Sequence, residues 1–318
     1  MNATFCASPL VPSWAGSGDE MCGRYASARK RAELLAEFRV ERDRVTESLQ
    51  PDYNVAPTKP VYAVLERGAR GSGRSGDGRS GDGSGPAGKA AGSGDGSGTA
   101  RKAAGSGDGA AAGRGTAAEQ AEPAARELRV VRWGLVPSWA KDASIGSRLI
   151  NARVETVDSK PSFRRAFTRR RCLLPADGFY EWIPVPGPPK ARKQPYYIHR
   201  ADGEGLAFAG LYELWRDRSY PDDHPRAWLW TAVIITTRAE DEIGHIHDRM
   251  PMVIEPDQWA EWLDPANNDP SDVRALLAPA VAGGLTSYPV SMAVNSVRNN
   301  GPRLIEPEPS STATGGSL

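Results

Sequence analysis

The chain has 318 residues, a net charge of +1 and 39% hydrophobic residues. A charge this close to neutral excludes a globally basic nucleic-acid binder, so any such contact must rest on a local patch. Cysteines at positions 6, 22 and 172 are too few and scattered for a secreted disulfide framework, and no apolar run approaches the roughly 20 residues of a membrane span.

Residues 1–20 are rich in Ser, Gly, Ala and Pro, without periodicity and without the basic start of a signal peptide, and read as a leader that is absent or removed. From Met21 the texture changes. The spacing predicts a helix over residues 28–38, with Leu34, Leu35 and Phe38 on one side. After Pro51-Asp52, residues 54–65 read as loop and then strand, carrying Val61, Tyr62, Val64 and Leu65. Residues 68–125 hold 18 of the 34 glycines, four copies of Ser-Gly-Asp-Gly, and no Leu, Ile, Val, Met, Phe, Tyr or Trp. Such a segment has almost nothing to bury against the entropy of ordering it. Closure entropy grows only logarithmically with length, so it is read as an insertion between two strands of one domain.

Order resumes with a strand over 127–131. A helix is expected over 161–169, with Pro161 in its first turn and Phe163 and Phe167 four apart. Strands are expected over 172–174, 196–198, 206–211 and 228–236, and short helices over 238–245 and 272–277. From Arg303 onward the chain reads as a frayed polar tail. Many short strands with dispersed helices argue for an α+β fold. Roughly 220 residues remain for one core.

Cys22 directly follows a methionine. It becomes the first residue if translation starts at Met21 or if the residues through Met21 are removed. Its thiol and α-amine, with unperturbed pKa values near 8.5 and 8, would then both be partly nucleophilic at neutral pH. Such a pair condenses with an aldehyde, the amine giving an imine and the sulfur closing a thiazolidine ring. The alternative is an ordinary internal, partly buried cysteine. Glu181, between Tyr180 and Trp182, is a candidate general acid in apolar surroundings. Arg164, Arg165, Arg169, Arg170 and Arg171 form either a local track for a DNA backbone or a solvated helix face. Trp133, Trp139 and Trp182 are candidates to stack on splayed bases, although most tryptophans are core residues. No cysteine pair has ligand spacing and His245-Ile246-His247 alone makes no zinc site, so neither metal nor cofactor is expected.

Six separated motifs then occur in order. They are Met21-Cys22-Gly23-Arg24-Tyr25, Asn54-Val55-Ala56-Pro57-Thr58, the stretch from Trp133 to Trp139, and Asn151-Ala152-Arg153-Val154-Glu155-Thr156. The stretch from Arg171 to Trp182 and His247-Asp248-Arg249-Met250-Pro251 complete the set. Together they closely resemble the SOS response-associated peptidase family, whose members process abasic sites in single-stranded DNA. The similarity runs from residue 21 to about 302, outside the leader and the insertion.

The resemblance implies one domain of mixed, barrel-like β-sheet with short helices. It implies that Cys22 is the nucleophile and bonds to the ring-opened aldehyde of an abasic deoxyribose. Asn151 would lie beside the sugar adduct, and Arg153 and Arg24 would hold phosphates. Glu181 would assist ring opening, and His247, preferred to His245 for its sequence context, would exchange protons. Trp133 and Trp182 would line the DNA groove. It further implies peptidase-type self-removal of the residues before Cys22 and, less securely, lyase chemistry. The partner would be abasic single-stranded DNA at replication forks, and the protein a cytoplasmic, nucleoid-associated monomer. A conventional cysteine peptidase using Cys22, His247 and Glu181, and a noncovalent single-stranded DNA-binding module, are the alternatives.

Overall fold

Cys172-Leu173-Leu174, residues 207–211 and Val233-Ile234-Ile235 are continuous apolar runs, the pattern of strands covered on both faces. A computed structural model describes residues 23–67, 124–186, 192–239, 243–277 and 284–309. Among these, β1 (Tyr25–Ser27) precedes α1 (Arg31–Glu37), β2 (Arg42–Asp43), β3 (Asp52–Val55) and β4 (Pro60–Arg67). Next come β5 (Ala125–Trp133), β6 (Asn151–Arg153), α2 (Arg164–Arg169), β7 (Arg171–Ala176) and β8 (Gly178–Val185). β9 (Arg192–Arg200), β10 (Leu206–Arg216), β11 (Trp228–Arg238) and β12 (Arg249–Pro251) follow. α3 (Trp259–Leu263), α4 (Pro270–Ala275) and β13 (Leu285–Pro289) complete the series.

The larger sheet has the order β12-β11-β10-β7-β4-β5-β2. β5 also pairs in parallel with β11, Thr231 opposite Arg132, which closes this sheet on itself. β6 joins β11 alongside it, with Asn151 opposite Ile234. A second sheet has the order β13-β9-β8-β1-β3. The fold is thus α+β, a barrel-like closed sheet with short helices.

Two cores follow from the alternation of side chains along each strand. Val61, Ala63 and Leu65 of β4 join Trp133, Cys172, Leu174 and Phe208 in one, which Tyr25, Phe179 and Ile198 of the second sheet complete. Tyr62, Val64, Leu173, Leu211 and Val233 face the opposite way, onto Leu34, Phe38, Phe167, Trp262 and Val273 from the helical segments. Each large apolar side chain so buried contributes on the order of 1.5–3 kcal/mol.

Several elements differ from those expected. α1 begins at Arg31, not residue 28, because Ala28 N–H and the Arg29 side chain both donate to the Asp177 carboxylate and hold that stretch outside the helix. α2 begins at Arg164; Pro161 lies in the preceding turns, where Phe163 N–H donates to Lys160 O at 2.9 Å. The helix expected over 238–245 does not hold at its start, where Arg238 ends β11 opposite Arg249; residues 240–242 lie outside the described residues, and beyond them Ile246 N–H donates to Ile243 O in a turn. Residues 303–309 are not frayed: Leu304 is buried, and Tyr288 Oη donates to Ile305 O at 2.7 Å. Ala125, assigned on composition to the glycine-rich segment, opens β5 and pairs with Arg67 at the end of β4. The two ends of the intervening segment therefore leave side by side. Residues 68–123 and the leader lie outside the described residues. No helix among the described residues is long and apolar enough to cross a membrane.

Candidate active site at the start of β1

Four segments that carry candidate chemistry converge on the core between the sheets. Tyr25, Ile150, Ile183 and Ile246 all pack into it, and they lie beside Arg24, next to Asn151, two residues beyond Glu181 and next to His247. Trp133 ties two of these segments together. Its ring meets Tyr25 edge-on at 5.2 Å, and its Nε1–H donates to Ile150 O at 2.9 Å. At 1% exposure Trp133 is a core pillar and presents no face to a nucleic-acid base, contrary to the expectation that it lines a groove.

Tyr25 pairs with Phe179, and Arg24 O accepts from Tyr180 N–H at 3.0 Å. Continuing that antiparallel register sets Gly23 across from Glu181. Glu181 is buried. Strand alternation turns it toward the core shared by Phe179 and Ile183, while its neighbours Tyr180 and Trp182 face the other side of the sheet. Its apolar neighbours along the strand are therefore the residues two away, Phe179 and Ile183, not the flanking aromatics. Asn151 is buried at the start of β6, and Arg153, two residues on, is exposed.

On the other side of the sheet, Arg24 Nη1 donates to Asn54 Oδ1 at 2.7 Å and to Val294 O at 3.0 Å. Its guanidinium lies 5.9 Å from the centre of the Trp182 ring. Burial lowers the Arg24 pKa from its ordinary value, opposed mainly by Tyr180 and Asp52. Trp182 is half-buried, and its Nε1–H donates to Asn295 Oδ1 at 2.6 Å.

His247 is half-buried in the turn before β12. Its Nδ1 lies 3.0 Å from Arg249 N, 3.2 Å from Arg249 O and 3.3 Å from Asp248 Oδ1, so it accepts from the backbone N–H in one tautomer and donates to the oxygens in the other. The Arg249 side chain makes a bidentate pair with Glu155, at 2.6 and 3.1 Å, and donates to Thr236 O. This hydrogen bonding lowers the Glu155 pKa from its usual value. The pair fixes the turn bearing His247 to the strand bearing Asn151 and Arg153.

The arginine run does not form one track. Arg164, Arg165 and Arg169 are exposed on α2, which packs on the helix-bearing face of the larger sheet, away from β1 and β8. Arg170 pairs with Glu213, and Arg171 is 3% exposed. Its guanidinium donates to the carbonyls of Trp262, Phe167, Thr168, Asp264 and Asn267. Burial pushes its pKa down to about 10. Trp139 is 60% exposed. Cys172 is buried, and its thiol pKa is driven well up by desolvation, which makes it a poor nucleophile. Cys22 lies outside the described residues. No group of three or more His, Cys, Asp or Glu that could hold a metal occurs among the described residues.

Sequence reasoning assigned no role to Asn54, Asn295, Glu155 or Arg249. Three of them stand inside motifs already noted. Asn295 had no local signal, because its partner Trp182 is 113 residues away in sequence.

Residues 21–297 match the family model for the SOS response associated peptidase (SRAP). The abasic site processing protein YoqW of Bacillus subtilis (strain 168) is 34% identical over 286 residues, covering 90% of this chain and 99% of that protein. The abasic site processing protein HMCES of Gallus gallus is 34% identical over 212 residues, covering 59% of this chain and 60% of that one. A crystal structure of a Bordetella bronchiseptica protein shares the fold, with a TM-score of 0.53 at 21% identity over 85% of this chain and 100% of that one. The chain belongs to the SOS response associated peptidase family.

Proposed function

We propose that this protein captures abasic sites in single-stranded DNA as a covalent adduct of Cys22 and so shields the lesion. Two relatives described as abasic site processing proteins support the reading, one of them aligned over 90% of this chain. The structural observation that carries it is the hydrogen bond from Tyr180 N–H to Arg24 O, which seats Arg24, two residues from Cys22, against the strand that bears the buried Glu181.

In this reading the residues before Cys22 are removed by the protein's own peptidase-type activity or are never translated. The freed amine adds to the C1′ aldehyde, and loss of one water from the carbinolamine gives an imine. The Cys22 sulfur then adds to the imine carbon while a proton passes to its nitrogen, closing the thiazolidine. His247 and Glu181 move the protons, and Asn151 holds the sugar hydroxyls. Arg24 and Arg153 hold phosphates, and Trp182 offers a ring to a base. Lyase cleavage would proceed from the same imine by β-elimination, in competition with ring closure. The working location is abasic single-stranded DNA at replication forks, with the protein a monomer on the nucleoid.

The test is intact mass or N-terminal sequencing of the purified protein, followed by incubation with single-stranded DNA bearing one abasic site. A covalent band is expected for protein beginning at Cys22, and none for Cys22→Ser or for a form retaining the preceding residues. An equal band from the form with the blocked amine would overturn the thiazolidine chemistry. Turnover of a separate peptide by protein with Cys22 internal would favour a conventional cysteine peptidase. Undiminished DNA binding and lesion protection by Cys22→Ser would favour a noncovalent binding module.

A further inference from the structure

Asn54 is 0% exposed, and its amide is fully engaged at a junction of three segments. Oδ1 accepts from Arg24 Nη1 at 2.7 Å. Nδ2 donates to the carbonyls of Val294, Ser296 and Asn299, at 3.3, 2.9 and 2.9 Å. Val294 O in turn accepts from Arg24 Nη1, so arginine, asparagine and loop close a small hydrogen-bonded ring. The same loop carries Asn295, whose Oδ1 receives Trp182 Nε1–H. One buried amide thus sets both the arginine and the loop that orients the tryptophan.

A guanidinium on a flexible stem loses rotamer entropy each time it engages a phosphate, and an acceptor that pre-sets its plane reduces that loss. Asn54 suits this role better than an acid would. An aspartate at the same place would neutralise the charge that a phosphate must meet, and it would face three carbonyl oxygens without a donor. From this geometry we infer that Asn54 is a positioning residue, pre-setting Arg24 for a DNA phosphate and holding the 294–299 loop that orients Trp182. The inference rests on the reading of this site as a single-stranded DNA site, and it adds a residue that touches no DNA itself.

The experiment compares noncovalent binding of undamaged single-stranded DNA across a salt series, using wild type, Arg24→Ala, Asn54→Ala and the double variant. Loss of one phosphate contact makes the plot of log affinity against log salt shallower by about 0.7 for a single strand. Arg24→Ala and Asn54→Ala are each expected to show that change, and the double variant no more than either alone. A merely structural residue would lower the melting temperature and leave the slope in place. If Asn54→Ala melts below the assay temperature, Asn54→Ser takes its place, since a serine can serve a loop carbonyl but is too short to reach Arg24. A wild-type slope in the folded Asn54 variant, or additive losses in the double variant, would overturn the inference. Wild-type protein that binds DNA but forms no abasic-site adduct would instead overturn the covalent chemistry, and the slope comparison would still decide the role of Asn54.

Discussion

Arg24 at the start of β1 and Arg171 at the start of β7 are both buried to a degree and both grip backbone carbonyls, yet they do opposite work. Arg171 spends its donors on five carbonyls of surrounding segments and shows 3% of its surface. Arg24 uses one nitrogen, on Asn54 and Val294, and remains partly exposed beside Trp182. The tryptophans divide in the same way: Trp133 is a pillar between Tyr25 and Ile150, whereas Trp182 stands half-open at the rim. Residue type and motif membership do not separate scaffold from site. Under the proposed function, the donor capacity and surface left after folding do.

The largest effects test that division directly. Trp133→Ala removes a fully buried indole and should cost about 3–5 kcal/mol by thermal or urea unfolding. Arg171→Ala strands several buried carbonyls and should cost roughly 3 kcal/mol or more. Arg24→Ala and Trp182→Ala should each cost less than either, Arg24→Ala about 1–3 kcal/mol because the buried Asn54 Oδ1 loses its donor. They should also weaken single-stranded DNA binding, Trp182→Ala by about 1–3 kcal/mol if a base stacks on its ring. Normal DNA affinity in Trp182→Ala, or a normal melting temperature in Arg171→Ala, would break the comparison.

How far this division could be read beforehand depended on the range of the interactions involved. The central strands were legible because apolar runs such as Cys172-Leu173-Leu174 are local patterns, and the segments bearing Asn151, Glu181 and His247 each send an apolar neighbour into one core. Arg171 could not be told from Arg164 and Arg165 in sequence, since the carbonyls that consume it come largely from Trp262, Asp264 and Asn267, more than ninety residues on. Asn54 depends on a loop about 240 residues away. Residues 238–245 suggested a helix locally, but pairing of Arg238 with Arg249 extends β11 through its start. Glu181 was placed in apolar surroundings for the wrong neighbours, because strand alternation sends Tyr180 and Trp182 to the opposite face.

A smaller effect concerns the clamp between the segments carrying Asn151 and His247. The Glu155 pKa is held below its ordinary value chiefly by the Arg249 hydrogen bond. A lowered folded-state value means that this contribution is present above the unfolded value, near 4.3, and is lost as pH falls through the folded one. Glu155 is about half exposed, so solvent screening limits the pair to under about 1 kcal/mol. Glu155→Gln should therefore lower stability at pH 7 by under about 1 kcal/mol, with the difference from wild type closing as pH falls below about 4.5. A profile that stays parallel to wild type through that window would remove the pair from the account.

The smallest effect is also the finest cut between scaffold and rim, because Tyr25 follows Arg24 directly but belongs wholly to the core. Its ring meets Trp133 and Phe208 edge-on at 5.2 and 5.7 Å, and its hydroxyl is buried with no hydrogen-bond partner among the described residues. Burial drives the phenol pKa far above its usual value, so the group is neutral throughout the working range. A stranded hydroxyl is a cost that phenylalanine would not carry, while the ring packing would survive the exchange. Tyr25→Phe should be neutral or more stable by up to about 1 kcal/mol, with abasic-site crosslinking unchanged. Destabilisation beyond that would mean that the hydroxyl has a partner in solution, such as a buried water. Loss of crosslinking at unchanged stability would carry the site one residue further along β1 than the geometry allows.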